Sequence, residues 1–166
     1  MSDYDWSKFT RRINVKAPAN LIYKAWSTQE GLESWFLRLA EFTKHAGDFR
    51  TRDEFIQKDD RYKWLWHGWP DETVEYGIIL KASGRDIIQF SFARNCTVTV
   101  LIKEDSGETI VELTQENIPL DEKSKVNYHL GCIEGWTFYL ANLKSILEGG
   151  IDLRNKNVNL TRVINA

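Results

Sequence analysis

The sequence predicts an α+β fold: a curved antiparallel sheet of about six to seven strands wrapped around one long C-terminal helix, with two short helices after the first strand. Two observations carry this reading. From Phe49 to Leu113 the apolar residues recur with period two, the signature of successive half-buried strands. From Lys125 to Leu153 the period changes, and Leu130, Ile133, Trp136, Leu140, Leu143 and Leu147 recur every three or four residues along one helical stripe.

The elements follow in order. Phe9, Ile13 and Val15 alternate in a first strand spanning roughly Trp6 to Lys16. Pro18 suits the first turn of a helix, and Leu21, Ile22, Ala25 and Trp26 have helical spacing behind it. Ser27 or Thr28 caps a second short helix carrying Leu32, Trp35 and Phe36. Next comes a strand with Phe49, Thr51, Asp53 and Phe55 on one face and Arg50, Arg52 and Glu54 on the other. Tyr62, Trp64 and Trp66 alternate ahead of the punctuation HGWPDE; Val74, Tyr76, Ile78 and Leu80 mark a further strand. Ile88, Phe90 and Phe92 follow, then Cys96, Val98, Val100 and Ile102, and lastly Val111 and Leu113, with Asp105-Ser106-Gly107 as a hairpin turn. The terminal helix runs for about 24 residues, or roughly 36 Å, long enough to cover a small sheet. Cys132, Tyr139 and Ile146 widen its apolar stripe, Glu134, Asn142, Lys144 and Glu148 face water, and Gly149-Gly150 ends it. Residues 1–153 form the domain; 154–166 are a polar extension that docks as an edge strand or stays mobile.

Composition narrows the function classes. The 166 residues suit one domain, and a net charge of -2 gives no field favouring nucleic acid or an anionic membrane. Cys96 and Cys132 have no CxxC spacing and read as reduced, buried thiols. MSDYDWSKFT lacks an apolar signal core and no run approaches a membrane span, which points to the cytoplasm. His45, His67 and His129 lack metal-ligand spacing, and phosphate loops, nucleophile elbows and HExxH motifs are missing, so neither a metal nor a cofactor is expected. The seven tryptophans stand apart from this background; aromatics at such density fill a core, line a cavity, or do both.

Several stretches together resemble one family: INVKAPANLIYKAWSTQEGLESWF, AGDFRTR, DIIQFSF, TVTVLI with TIVELTQENIP, and GWTFYLANLKSILEGGIDLR. Their order and spacing are similar to the START-like (SRPBCC) helix-grip superfamily, in the branch of homologues of the activator of the ninety-kilodalton heat-shock protein ATPase. Ala46-Gly47 stands where that branch usually has Gly-Gly, and KDDRYKWLWHGWPDETVEY is richer in tryptophan than the family pattern. The resemblance implies a sheet gripping the C-terminal helix around a deep apolar cavity. Members of the superfamily bind hydrophobic ligands, cyclise or dehydrate polyketides, or stimulate a chaperone ATPase, so fold alone does not choose among these.

The candidate ligand-binding residues are therefore Trp26, Trp35, Phe36, Phe55, Trp64, Trp66, Phe90, Phe92, Trp136, Tyr139, Leu140 and Leu143, at least half of which simply close the core. Asp53 and Arg11 are the polar cavity candidates, because alternation places each beside inward aromatic or aliphatic residues. An unpaired carboxylate there would be costly; a buried ion pair, a bulge or a register displaced by one residue is the plainer account of Asp53. No residue is singled out as catalytic. The leading expectation is a noncatalytic module that binds a small hydrophobic molecule. The alternatives are an interaction module acting on a chaperone ATPase and a cyclase- or aromatase-like enzyme using a cavity acid. The Trp64-Trp66-Trp69 segment either pairs two copies as a homodimer or folds over the cavity as a lid.

Overall fold

The computed structural model describes residues 3–164. Seven antiparallel strands form one unclosed sheet: β1 (Phe9–Asn14), β2 (Leu39–Thr43), β3 (Arg61–Leu65), β4 (Val74–Ala82), β5 (Ile87–Phe92), β6 (Cys96–Asp105) and β7 (Glu108–Glu116). Their spatial order is β1-β7-β6-β5-β4-β3-β2, so β2 through β7 form a simple meander and β1 closes onto β7. Helices α1 (Ala19–Ser27) and α2 (Gln29–Trp35) fill the connection between β1 and β2, and Thr28 caps α2 by accepting a hydrogen bond from the Gly31 N–H at 3.0 Å.

The C-terminal helix forms as expected but in three joined pieces. α3 (Glu122–Ser124) leads into a π-helical segment (Lys125–Leu130) and then α4 (Gly131–Leu147). The π segment widens the turn by one residue, with the Gly131 N–H reaching the Val126 carbonyl, and this shifts the phase of the apolar stripe. Leu130 therefore lies half exposed while His129 is fully buried. From Ile133 onward the expected stripe holds, with Trp136, Leu140 and Leu143 buried. Gly149, at φ +82°, ends α4: its N–H reaches the Ile146 carbonyl at 3.3 Å and the Gly150 N–H reaches Ser145 at 2.7 Å.

Two further expectations are corrected. The strand expected across Phe49–Phe55 is absent. Only Phe49 bridges, to Thr43, and the second strand of the sheet is instead Leu39–Thr43, with Ala40 and Phe42 inward. Polar side chains there make local bonds in competition with a ladder: Glu54 accepts from the Thr51 backbone N–H at 2.9 Å, and the Thr51 hydroxyl donates to the Asp53 carboxylate at 2.9 Å. Arg50 meanwhile turns inward to pair with buried Asp60. Asn142, expected in water, is fully buried, donating to the Trp35 carbonyl at 2.7 Å and accepting from the Leu153 N–H at 2.8 Å.

The segment after α4 makes no strand among the described residues, yet it is held. Arg154, 8% exposed, donates to the carbonyls of Glu33, Ser34 and Leu37, each at 3.1 Å, and so satisfies the open end of α2. Asp152 pairs with Arg154 at 2.8 Å and accepts from Asn142 at 3.1 Å. Burial opposes the charge on Asp152, but the hydrogen bonds from Arg154 and Lys156 outweigh it and hold the carboxyl well below its usual range.

One glycine in the sheet is required sterically. Gly77 in β4 faces Tyr62 in β3, and a Cβ added there would lie only 2.3 Å from the Tyr62 ring, well inside van der Waals contact. That ring cannot easily yield: it stacks on Trp64 at 3.8 Å, and its hydroxyl donates to the Ser91 carbonyl. Gly77→Ala is expected to lower stability by about 1–3 kcal/mol through overpacking, read as a fall in the urea midpoint with the native far-UV spectrum retained.

Candidate functional site

A cavity of about 380 Å³ lies between the inner face of the sheet and the first turns of α4. Its walls come from five places: Phe36 at the end of α2, Trp66 and Trp69 after β3, Thr73 to Glu75 at the start of β4, Phe92 at the end of β5, and the helix. The helix contributes Asn127 from the π segment and Gly131, Cys132, Gly135, Trp136 and Tyr139 from α4. Gly131 and Gly135, four residues apart, share one helix face and leave the space open. Trp69 and Asn127 are exposed and mark the mouth.

The aromatic wall is ordered by mutual packing. Trp136 lies 5.1 Å from Phe36 and 5.3 Å from Phe92, and Phe36 meets Tyr139 edge-on at 4.9 Å. The Trp136 indole N–H donates to Gln115 Oε1 at 2.9 Å, and Gln115 Nε2 donates to the Tyr128 carbonyl at 3.2 Å. A fully buried amide on β7 thus fixes both the indole and the π segment.

Glu75 is the carboxyl on this wall. It pairs in register with Trp64 and sits half-buried, accepting the Ala93 N–H at 3.0 Å. Ala93, Arg94 and Asn95 form the β5–β6 turn with φ of +44°, +60° and +66°, so Glu75 braces an unusual left-handed turn. Burial pushes the Glu75 carboxyl up, with the Ala93 N–H acting in the opposite direction. Burial likewise raises the Tyr139 hydroxyl and pushes the Cys132 thiol up to about 11.

The sequence-derived candidates divide into three groups. Phe36, Trp66, Phe92, Trp136 and Tyr139 line the cavity. Trp26, Trp35, Trp64, Phe90, Leu140 and Leu143 are buried in the core behind it. Phe55, Asp53 and Arg11 lie elsewhere. Phe55 is 44% exposed and stacks on Tyr23 outside the cavity, and Asp53 is exposed on the same turn, because the strand that would have turned both inward does not form. Arg11 does share the face of Phe9 and Ile13, but it reaches the helix side, donating to the Thr137 hydroxyl at 3.2 Å, and does not line the cavity. Trp64 is buried, so the Trp64-Trp66-Trp69 segment is no continuous surface patch; Trp69 alone of the three is exposed.

Glu75 was missed because Val74, Tyr76, Ile78 and Leu80 make the opposite face of β4 look like the inner one. Tyr76 is in fact 66% exposed and Ile79 is fully buried. Gly77 between Glu75 and Ile79 was the available signal, since a glycine inside a strand marks a close approach by a neighbour.

An unclosed antiparallel sheet that grips a C-terminal helix over a side-opening aromatic cavity defines a START-like helix-grip domain. The chain belongs to the family described as "Activator of Hsp90 ATPase homolog 1-like protein", whose pattern matches residues 16–148. Solved structures share the fold. The protein SSP2350 from Staphylococcus saprophyticus superposes with a TM-score of 0.67 at 18% identity, covering 91% of this chain and 98% of that one. The protein NE0264 from Nitrosomonas europaea gives 0.67 at 12% identity, covering 89% and 97%. The Aha1 dimer from Colwellia psychrerythraea gives 0.64 at 19% identity, covering 86% and 97%. No curated protein matches the sequence. Among the described residues no helix is long and apolar enough to cross a membrane, and no group of three or more His, Cys, Asp or Glu side chains could hold a metal.

The raised thiol of Cys132 gives a direct check on the wall. In a Cys96→Ala background, carboxymethylation of Cys132 near pH 8 is expected to run about two orders of magnitude slower than for a free cysteine, and to rise with pH toward the thiol's value of about 11. Rapid labelling near neutral pH, followed by mass spectrometry, would contradict the burial described.

Proposed function

We propose that this protein binds a small hydrophobic molecule in the cavity between sheet and helix, without chemistry of its own. The observation that carries this reading is the cavity: about 380 Å³ behind an aromatic wall, opened by two glycines on the helix. That volume lies within the range of small-molecule sites, and an apolar lining with few polar groups is their usual character.

A cyclase-like reaction using Asp53 loses its basis, since Asp53 faces solvent outside the cavity. Glu75 does reach the wall, but one of its oxygens is taken by the Ala93 N–H, and the Cys132 thiol, which feels its charge, is pushed up to about 11 by burial and is poorly matched to acid–base work near neutral pH.

Two measurements test the binding reading. Native mass spectrometry of protein purified from its own source, followed by organic extraction, is expected to release a bound apolar compound. Titration with the neutral dye N-phenyl-1-naphthylamine is expected to show binding that Gly131→Leu weakens about tenfold or more. A Cβ at Gly131 meets only the Val126 carbonyl, at 3.5 Å, an ordinary contact, so the first carbon of the added side chain is accommodated. Unchanged dye affinity in a variant that unfolds at the wild-type urea midpoint would remove this cavity as the site.

A second reading has one observation in its favour: family membership by a description that names an ATPase activator. On that reading the domain docks on a chaperone and raises its ATPase rate, and the Aha1 dimer from Colwellia psychrerythraea would make a homodimer the form to look for. A chaperone ATPase rate that stays constant on addition of the protein would count against it. The cavity geometry does not call for a protein partner, so ligand binding is placed first.

A further inference from the structure

We propose that the cavity selects an organic ammonium: a flat or aliphatic body carrying one positive charge, seated with its charge beside Glu75 and its body against the aromatic wall. This rests on the reading that the cavity binds a small molecule, and it names the class.

Three features of the wall support the charge preference. Glu75 is its single carboxyl, and no lysine, arginine or histidine lines the space among the described residues. Only burial and the Ala93 N–H act appreciably on the Glu75 carboxyl; no cationic side chain is close enough to contribute. One of its oxygens accepts that N–H at 3.0 Å, and the other has no protein partner among the described residues. A half-desolvated carboxylate with one open acceptor position is stabilised by an incoming N⁺–H donor or a compact cation.

The rings act in the same direction. Trp66, Phe92, Trp136 and Tyr139 stand around the space, and the face of an aromatic ring carries the negative part of its quadrupole. An ammonium that meets such a face within about 6 Å is attracted to it, most strongly where water is excluded. A carboxylate or phosphate in the same position would meet Glu75 with the wrong sign, and no cationic side chain on the wall would offset the repulsion. A neutral ligand would keep the apolar contacts and leave the carboxylate unmatched. The order of preference is therefore cation, then neutral, then anion.

The placement of Glu75 argues for a ligand-facing role beyond its structural one. On the inner face of β4 it is followed by Gly77, over which the Tyr62 ring packs, so Glu75 is covered on that side and meets the cavity on the side of the helix. A turn brace alone could be supplied by a shorter or neutral acceptor that removes no charge from water.

Three probes with one shared body separate the alternatives: 1-naphthylmethylammonium, 1-naphthylmethanol and 1-naphthoate, titrated calorimetrically near neutral pH. The ammonium is expected to bind about tenfold more tightly than the alcohol, and the naphthoate most weakly. Glu75→Gln keeps an acceptor for the Ala93 N–H and is expected to erase the preference, leaving the alcohol's affinity within about twofold. Equal or tighter binding of the alcohol or the naphthoate overturns the inference while leaving a hydrophobic site intact. Binding of none of the three at millimolar concentration overturns both the inference and the site. A cation preference that survives Glu75→Gln removes Glu75 as its source. The wild-type ranking decides the charge preference even if the variant folds poorly.

Discussion

The hydrogen-bond bridge through Gln115 is the interaction on which the cavity depends. Gln115 is fully buried on β7, where most of its neighbours are apolar, and its amide must be matched on both sides. Its oxygen takes the Trp136 indole N–H, and its nitrogen gives a hydrogen bond to the Tyr128 carbonyl. The carbonyl belongs to the π segment and the indole to α4, so one side chain sets how the wide turn joins the regular helix. Without the wide turn, α4 would be rotated about its axis relative to the residues before it, and the face carrying Gly131, Gly135 and Trp136 would be turned from its present seat. Buried polar networks carry high stakes because a half-matched member costs about 1–3 kcal/mol, which is enough to favour one seating of the helix over its alternatives.

The far side of the cavity is set by the end of the chain. Phe36 stands on the wall directly after α2, a helix whose last carbonyls have no partners within the helix. Arg154 supplies the missing donors to Glu33, Ser34 and Leu37, and Asn142 supplies one to Trp35. Asp152 ties these two donors to each other. The segment that follows α4 is therefore part of the wall's foundation although it contributes no strand. Its polar composition gave no sign of this, because an arginine that caps a helix from a distant segment looks the same in sequence as one in water.

What was legible from sequence, and what was not, follows from the same physics. The strand-rich middle, the two early helices, the long terminal helix and its glycine stop were all written in local periodicity and turn chemistry, which the fold obeys. Phe49–Phe55 misled because its side chains alternate while their polar groups bond locally, the Glu54 carboxylate to the Thr51 N–H and the Thr51 hydroxyl to the Asp53 carboxylate, and alternation alone does not reveal that competition. Leu130 misled because a helix of uniform period was assumed across a π turn. In the site, half-legibility had a specific form: five of the aromatic candidates line the cavity, whereas both polar candidates lie outside it and the carboxyl that is present, Glu75, was not singled out. Aromatic residues declare burial by their size, but which face of a strand is inward depends on its neighbours, and here Tyr62 lying over Gly77 decides it.

The same neighbour relation explains why a carboxyl can sit on this wall at all. A strand whose inner face reads Glu75, Gly77, Ile79 has a gap at the glycine that the Tyr62 ring fills from β3. Tyr62 then carries Trp64 stacked against it, and Trp64 continues the packing to Phe36 and Phe90. The close fit of the core ends where Glu75 begins, at the mouth-ward end of β4, and beyond it the helix offers glycines in place of large side chains. Burial of Glu75 is thus partial by construction: enough to disfavour its charge, yet open on the side where the helix withdraws. A packed core would have required either an apolar residue at this position or a cationic partner for it. This fold supplies neither, and the carboxyl keeps one hydrogen bond, from the Ala93 N–H, and an open side toward the cavity.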